Sequence, residues 1–224
     1  LEMQYTYKNI TFRDQLTYSN VNSKNSPYGE FSEYAKLNPY VRMKDENGNY
    51  LYRIDDVEDR NPGQHSYVYN PLYNTRLNVK DETSYDDLTN LFGIDWSIIE
   101  GLRLKGTFSF TRQHTATDVF KPGMHTDFAG LTGDDYERRG SYKASRGDSF
   151  SYDGSLVLSY FTQMDKHVIN ANLGWNIQQE QNTTFTVKAE GFPNDNLDYI
   201  SFGTQYEKGG SPSGDEYTSR LVGF

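Results

Sequence analysis

The chain has 224 residues, and its 31 acidic and 22 basic side chains give a formal net charge of -9 at pH 7. This charge repels phosphate, so we exclude nucleic acid as a partner. The absence of cysteine excludes disulfide frameworks, thiolate metal sites and cysteine nucleophiles. No basic segment followed by an apolar run is present. We therefore expect any secretory signal to lie outside residues 1–224, and the chain to be an internal piece of a longer protein.

Mean hydropathy is low at -0.83, and only 35% of the residues are hydrophobic. These values exclude transmembrane helices, but they suit a membrane barrel, in which half of each strand faces a polar lumen. Aromatic residues make up 15% of the chain. This content is typical of interfacial aromatic girdles or of a surface that contacts sugars.

The first long alternation of apolar and polar residues covers residues 10–20, after a shorter alternating stretch at 3–7 of the opposite parity. The switch predicts a bulge or a tight turn at Lys8-Asn9. Asp14 lies on the apolar parity. We therefore expect Asp14 to lie near a membrane interface, or this strand to be partly covered.

Residues 22–87 are rich in turn signals and predict one long loop region with local hairpins. Asn47-Gly48, between alternating residues 40–43 and 50–54, predicts a type I′ hairpin, and Asn61-Pro62-Gly63 predicts a further turn. The spacing of Asp45, Asn47 and Asn49 is similar to a calcium loop, but Tyr50 stands where that loop needs glycine, so we predict a plain turn. A neighbouring acidic cluster is interpreted as solvated, with a divalent cation as the alternative. It comprises Asp55, Asp56, Glu58 and Asp59.

Two strands at 88–98 and 102–112, joined by the turn pair Glu100-Gly101, form the clearest hairpin of the sequence. Each has about ten alternating residues, whereas strands of soluble proteins usually have about five or six and a tilted membrane strand needs about nine to eleven. The length favours a membrane barrel. A large soluble β-sandwich, whose strands also alternate, is the alternative.

A second hairpin of the same design covers 149–161 and 166–178, with the short link 162–166 between its arms. Residues 113–148 and 179–215 are predicted to be long polar connections, and a sixth strand begins at 216–224. The connections therefore run long, short, long, short, long. Outer-membrane barrels have this asymmetry between short periplasmic turns and long external loops.

The parity of the strands also predicts which side chains face lipid, because one parity carries no charge in its central stretch. The residues predicted to point outward are Phe92, Ile94, Leu104, Phe108, Leu156, Leu158, Ile169 and Leu173. Their neighbours along each strand are predicted to face the lumen.

No chemistry of catalysis or cofactor binding emerges from the motifs. The four histidines, at positions 65, 114, 125 and 167, have no metal-ligand spacing, and no nucleophile elbow, phosphate loop or dinucleotide fingerprint is present. We predict no enzyme activity, and no catalytic, cofactor-binding or metal-binding residue is assigned. Substrate-binding residues are left unknown.

Six short motifs, in order and at matching spacing, resemble the SusC/RagA family of TonB-dependent outer-membrane transporters. They are Ile10 to Gln15, Ser26 to Phe31, Lys36 to Tyr40, Asn70 to Tyr73, Glu100 to Gly106 and Gly191 to Asp195. The resemblance covers nearly the whole chain. It implies an all-β fold in which residues 1–224 are one segment, with about six long strands and long extracellular loops, of a barrel of roughly twenty-two strands.

The same resemblance implies import of glycans or peptides across the bacterial outer membrane. The implied partners are a SusD-like surface lipoprotein, the remaining strands and plug of the parent barrel, and the TonB complex acting through the plug. We expect the signal, the TonB box and the plug to be absent from residues 1–224. The second hypothesis is a soluble β-rich module that binds glycans or mediates adhesion through aromatic surfaces.

Overall fold

The computed structural model describes residues 1–58 and 65–224. Strand accounts for 62% of the structure and helix for 11%. The strands are β1 (Glu2–Tyr7), β2 (Ile10–Lys24), β3 (Arg53–Glu58), β4 (His65–Tyr69), β5 (Lys80–Ile99), β6 (Leu102–Lys121), β7 (Ser141–Met164), β8 (His167–Glu190), β9 (Gln205–Tyr206) and β10 (Ser213–Gly223). The helices are α1 (Phe31–Ala35) and four 3₁₀ helices, Pro71–Arg76, Thr126–Phe128, Gly133–Arg138 and Ile200–Phe202. Within the described part of the chain, no helix has the length and hydropathy of a membrane span.

One large antiparallel sheet contains eight strands in the order β1-β2-β5-β6-β7-β8-β10, with β9 added at one end of β8. A separate hairpin pairs β3 with β4. Strands β1 and β10 are the two ends of the large sheet, so the sheet of the described residues is open. This architecture confirms the predicted fold class, an all-β antiparallel sheet of the kind that forms part of a barrel.

The six predicted long strands correspond to β2, β5, β6, β7, β8 and β10, but the middle four are much longer than predicted. β5 and β6 have 20 residues each, and β7 and β8 have 24 each. Residues 80–87, 113–121, 141–148 and 179–190 were expected to lie in connections and instead belong to strands. Backbone pairing continues there without a register shift between β6, β7 and β8. The alternation signal ends earlier because it depends on one face being apolar, whereas backbone hydrogen bonds do not.

Three tight turns lie together at one end of the sheet, at Lys8-Asn9, Glu100-Gly101 and Asp165-Lys166. The turn at Lys8-Asn9 adjoins β5, since the Ser97 amide donates to the Asn9 carbonyl at 2.9 Å. The Phe161 amide donates to the Gly101 carbonyl at 2.7 Å, which places the β5–β6 turn beside β7. The parity switch at Lys8-Asn9 is therefore a tight turn. The predicted alternation of short and long connections is confirmed, with the short ones at a common end.

The register gives the sheet one apolar and one polar face. Directly opposed residues of antiparallel strands share a face, and one row across five strands contains Ile10, Trp96, Leu104, Leu158 and Leu173. The row with the opposite orientation contains Thr17, Thr89, Thr111, Ser151 and Glu180. The eight side chains predicted to point outward all lie on the apolar face.

Large apolar side chains on this face are strongly exposed in the described chain. Phe92 is 48% exposed, Phe108 44% and Leu173 51%. A soluble monomer rarely displays so large a contiguous apolar surface, which marks an interaction with a partner or a membrane. The exposure therefore favours a lipid-facing wall over a soluble sandwich.

Asp14, the one acid in the apolar pattern of β2, lies opposite Phe92. Its carboxylate accepts a hydrogen bond of 2.6 Å from the side-chain amide of Asn90. Asn90 belongs to the next row toward the long connections, where Gln179 and Arg220 also lie. The rows of Phe110 and Phe150 lie between Asp14 and the polar row of His114 and Asp148, so Asp14 lies within the apolar face, where Asn90 satisfies its carboxylate. The expected position near a membrane interface stays a prediction.

A hairpin forms around Asn47-Gly48 as predicted, but the predicted type I′ turn is wrong. The arms are joined by the Lys44–Tyr50 bridge and by backbone hydrogen bonds from the Asp45 amide to the Asn49 carbonyl at 2.9 Å and from the Leu51 amide to the Met43 carbonyl at 3.0 Å. Gly48 has a positive φ of 82° but Asn47 does not, whereas a type I′ turn needs both. The Asp45 carboxylate accepts from the backbone amides of Asn47 and Asn49 at 2.9 and 2.8 Å, so the side chain closes a wider loop. The predicted turn at 61–63 and Asp59 of the acidic cluster lie outside the described residues.

Gly101 is the position where the fold most requires glycine. Its φ is 80°, and a Cβ there would lie 2.1 Å from the Phe161 carbonyl oxygen. Gly48 has a similar φ of 82°, but a Cβ would meet nothing within 4 Å. We expect Gly48→Ala to cost about 1 kcal/mol through backbone strain alone, and Gly101→Ala to cost more because the turn must also move. Urea titration of the complete protein in lipid vesicles would measure both. Equal costs would contradict the close approach at Gly101.

Leu104 tests the assignment of the apolar face. Arginine at mid-bilayer on a lipid-facing strand costs about 2–4 kcal/mol, so Leu104→Arg is expected to reduce the folding yield in vesicles. The matched variant is Thr107→Arg, on the polar face of the same strand, which we expect to fold with nearly the original yield. Normal folding of the Leu104 variant together with failure of the Thr107 variant would reverse the faces.

Candidate functional site

The polar face is a continuous wall of hydroxyl and amide groups. Its side chains bond across strands: the Thr107 and Ser155 hydroxyls are 2.8 Å apart, and those of Thr89 and Thr111 are 3.0 Å apart. On β8 this face carries Asn172, Asn176, Gln178, Glu180 and Asn182. Such a surface remains hydrated and can hydrogen-bond a polar solute along its length.

Near the short turns, the polar face carries a charged cluster. The Arg103 guanidinium holds the Asp95 carboxylate through Nε at 2.6 Å and through a second bond from Nη2. Lys105 lies opposite Asp95 in the register, and Arg13 lies on the adjoining strand and lines the same cleft of about 330 Å³. Glu2 and Asp14 line the same cleft, so its basic and acidic side chains nearly balance.

The small buried core of the chain lies at the opposite end of the sheet, under the long connections. It contains Phe120, Tyr142, Ala144, Ala189 and Phe192. The Phe120 and Phe192 rings meet edge to face with centroids 5.2 Å apart. Val187 and Ile200 pack against this group. The core fixes residues 191–204 to the ends of β6, β7 and β8.

A polar network braces the same core. The buried Tyr142 hydroxyl donates to the Asp118 carboxylate at 2.9 Å, and Arg146 Nη2 lies 3.0 Å from both oxygens of that carboxylate. Burial, together with the hydrogen bond to Asp118, raises the pKa of Tyr142 above its ordinary value. The phenol is therefore neutral and acts as a donor.

The β2–β5 connection is held to the β6–β7 connection by a paired amide. Asn74 donates to the Thr126 hydroxyl at 2.7 Å and accepts from the Thr126 amide at 3.0 Å. Asn70, fully buried, donates to the Met43 and Leu51 carbonyls at 2.9 Å each. The Asn74 bonds join the two long connections into one packed layer. We call this layer, together with residues 191–204, the rim.

The largest cleft of the rim, about 720 Å³, lies between residues 123–139 and 191–204. Its lining combines apolar, aromatic, acidic and amide side chains: Met124, Tyr136, Glu137, Arg139, Phe192, Pro193, Asn194, Asp195 and Asn196. It also includes the motif Gly191 to Asp195 that the sequence analysis singled out. We call it the rim cleft.

Arg139 is the cation of the rim cleft. Its guanidinium carbon lies 4.3 Å from the centre of the Tyr136 ring, and Nη2 donates to the Leu131 carbonyl at 3.1 Å. Its Nε is buried and has no acceptor within residues 1–58 and 65–224. A buried donor left unpaired costs about 1–3 kcal/mol. Its neighbour Arg138, by contrast, is paired with Glu190 at 2.6 Å.

Three of the four histidines bond to neighbouring groups. His65 pairs with Asp56 at 2.8 Å, and His114 with Asp148 at 2.9 Å. His125 caps the 3₁₀ helix Thr126–Phe128. His167 lies beside the β7–β8 turn. In the part of the chain that the structure describes, no group of three or more histidine, aspartate or glutamate side chains could hold a metal ion.

Asp127 shows how the β6–β7 connection is stabilised by charge. The His125 ring, 3.4 Å from its carboxylate, and the Lys121 ammonium, hydrogen-bonded to it, hold the pKa of Asp127 well below its usual range. The carboxylate is thus ionised at neutral pH and engaged within the connection.

Sequence reasoning left substrate contacts unassigned, and the structure brings together residues far apart in the chain. Arg139 and Asp195 each lie near Gly123: a Cβ there would be 3.6 Å from Arg139 Cβ and from Asp195 Oδ1. The only advance signal was the motif Gly191 to Asp195. Arg139 carried none, because its stacking on Tyr136 depends on the fold of a loop.

Comparison with known proteins supports the fold. No family model and no curated protein matches the sequence. Chains from solved structures do match: the RagAB peptide transporter at TM-score 0.66 and 15% identity, the RagAB peptide importer in the open-open state at 0.70 and 14%, and the same importer in the closed-closed state at 0.67 and 15%. Each match covers 99% of this chain and 24% of the solved chain. The chain therefore has the fold of part of those proteins and spans about a quarter of their length.

Phe192 should hold the rim in place. Removing a buried phenylalanine typically costs about 3–5 kcal/mol, so Phe192→Ala is expected to open residues 191–204 while the rest of the sheet stays folded. Phe202→Ala is the matched control, since that ring is 45% exposed. Hydrogen exchange of the complete protein would locate the change. Unaltered protection of residues 191–204 in the Phe192 variant would contradict the proposed anchoring.

Proposed function

We propose that the chain is part of the wall of a bacterial outer-membrane importer. The observation that carries this proposal is the apolar band on one face of the long strands. The band extends from the Leu102–Tyr160 pair to the Arg112–Phe150 pair. That distance is about the nine to eleven residues that a tilted membrane strand needs. Beyond it lies a polar row that includes Asp86, His114 and Asp148.

The arrangement of connections gives the orientation. Outer-membrane barrels have short periplasmic turns and long external loops. The turns at Lys8-Asn9, Glu100-Gly101 and Asp165-Lys166 then lie in the periplasm, and the rim lies outside the cell. The polar face is the lumen wall. This orientation places the rim cleft where solutes arrive.

The open edges require partners. In lipid, each unpaired backbone donor or acceptor costs several kcal/mol, so membrane sheets close into barrels. β1 and β10 are the edges of the described sheet. We propose that further strands of a barrel of roughly twenty-two pair with them, and that a plug fills the lumen against the charged cluster of Arg13, Asp95, Arg103 and Lys105.

The proposed cargo is peptides or glycans, captured with a SusD-like surface lipoprotein and imported with energy from the TonB complex through the plug. The similar solved structures are those of a peptide transporter and a peptide importer, which supports the peptide class. The hydroxyl and amide groups of the lumen wall suit either cargo. We propose a transport role without enzyme activity of its own.

A soluble glycan-binding or adhesion module is the second candidate, favoured by exposed tyrosines such as Tyr40 at 93%. Aromatic surfaces of this kind stack on sugars. Extraction separates the two candidates, because a barrel protein remains in the membrane fraction until detergent is added. Recovery of the complete protein in buffer would favour the module.

Import is tested by deleting the gene that encodes the complete protein and measuring uptake of labelled peptides and labelled oligosaccharides. We expect uptake of one class to fall in the deletion strain and equally in a strain without TonB. Uptake that persists in both strains would overturn the proposal. Restoration by a plasmid copy of the gene is the control.

The isolated segment should be unable to transport. Residues 1–224 carry too few membrane strands to close, since the smallest single-chain barrels have about eight and the described edges do not pair with each other. We expect liposomes containing this segment alone to import no peptide or oligosaccharide. TonB-dependent import by the segment would contradict the open-sheet account.

A further inference from the structure

We propose that the rim cleft binds the free carboxylate end of a short peptide, with Arg139 as its anchor. The inference rests on the proposed function and specifies where the cargo first docks. It is carried by three features of the cleft: a cation without an acid partner, an apolar floor, and acidic groups that line the cleft without pairing with the cation.

The first feature is the charge of Arg139. No carboxylate lies within 4.0 Å of its guanidinium among residues 1–58 and 65–224, although Arg138 beside it has one. Arg139 is held instead by the Tyr136 ring and one carbonyl, with its Nε unpaired. A planar guanidinium fixed by stacking is pre-organised to bind a carboxylate. Because Nε is buried and Nη2 already donates to Leu131, Nη1 is the donor left for that contact.

The second feature is the apolar surface beside that charge. Phe192 is packed into the core and only 6% exposed, so it is a rigid wall, and Pro193 and Met124 continue it. Methionine adapts to side chains of different shapes. A carboxylate next to an apolar side chain is the chemistry of a peptide C-terminus such as leucine or phenylalanine, and it differs from an acidic sugar, which carries hydroxyls around its carboxylate.

The third feature is the distribution of opposite charge. Glu137 and Asp195 line the same cleft, and neither forms an ion pair with Arg139. A single anion would be repelled by them, whereas a zwitterionic peptide places its ammonium on these acids and its carboxylate on Arg139. The amides of Asn194 and Asn196 add donors and acceptors for peptide groups. The cleft thus favours a short peptide over a purely anionic solute.

The test uses the complete protein, purified in detergent, and the fluorescently labelled pentapeptide GSAAL with either a free carboxylate or a C-terminal amide. For the unaltered protein we expect the free acid to bind about tenfold or more tightly than the amide, the size of effect that a charge-assisted hydrogen bond supports. Arg139→Gln should remove this preference by weakening the free acid alone. Arg42→Gln removes the same charge from another exposed connection and should leave both affinities unchanged.

Equal binding of acid and amide by the unaltered protein would overturn the inference, and so would an undiminished preference in the Arg139 variant. The comparison of the two peptides needs no variant, so it stands even if Arg139→Gln misfolds. A third outcome would also count against it. In that outcome the amide binds as tightly as the free acid, and an acidic oligosaccharide displaces the peptide from the unaltered protein but not from the Arg139 variant. Peptide uptake by cells that persists with Arg139→Gln would leave the importer proposal intact and refute the docking site, whereas absence of both peptide and oligosaccharide uptake by the unaltered protein would refute the importer itself.

Discussion

Backbone hydrogen bonding in a medium without water is the constraint on which the structure depends. A strand in hydrocarbon must give every amide and carbonyl a partner, and neighbouring antiparallel strands are its source. The long ladders of β5 to β8 satisfy this requirement through continuous registers. Once the strands are paired, successive side chains point to opposite faces of the sheet. The residues of each face can then suit the surroundings of that face. At β1 and β10, the two edges of the described sheet, the outward backbone groups have no neighbouring strand.

This constraint explains which parts of the fold the sequence could predict. Between Leu102 and Arg112 one face meets an apolar medium and the other a polar one, so residue type alternates and both the strand and its orientation can be read. Between Gln113 and Lys121 the ladder continues, but both faces are polar or packed by loops, so alternation disappears and the strand could not be predicted. The predicted end of the strand at residue 112 therefore lies where the surroundings of the strand change, although backbone pairing continues to Lys121.

The rim was harder to predict because its contacts join distant segments. Asn74 and Thr126 are 52 residues apart and still exchange two hydrogen bonds. The turn at Asn47-Gly48 failed for a related reason, since the Asp45 side chain supplies the acceptor that the predicted turn would take from the backbone. Local propensity could give the presence of a turn there, but not its type. The rim cleft likewise depends on how two connections pack.

The apolar face does not end with the membrane band. Because β6, β7 and β8 pair without a register shift, the row of Phe120, Tyr142 and Ala189 lies on the same face as Leu104. A polar row containing His114 and Asp148 separates the two regions. In the upper region the chain covers the face itself: Phe192 and Tyr199 pack on Tyr142, and Asp198 reaches Lys80 of β5 at 3.9 Å. Residues 192–199 thus cover the apolar face above the polar row, which allows the strands to continue there and to support the rim.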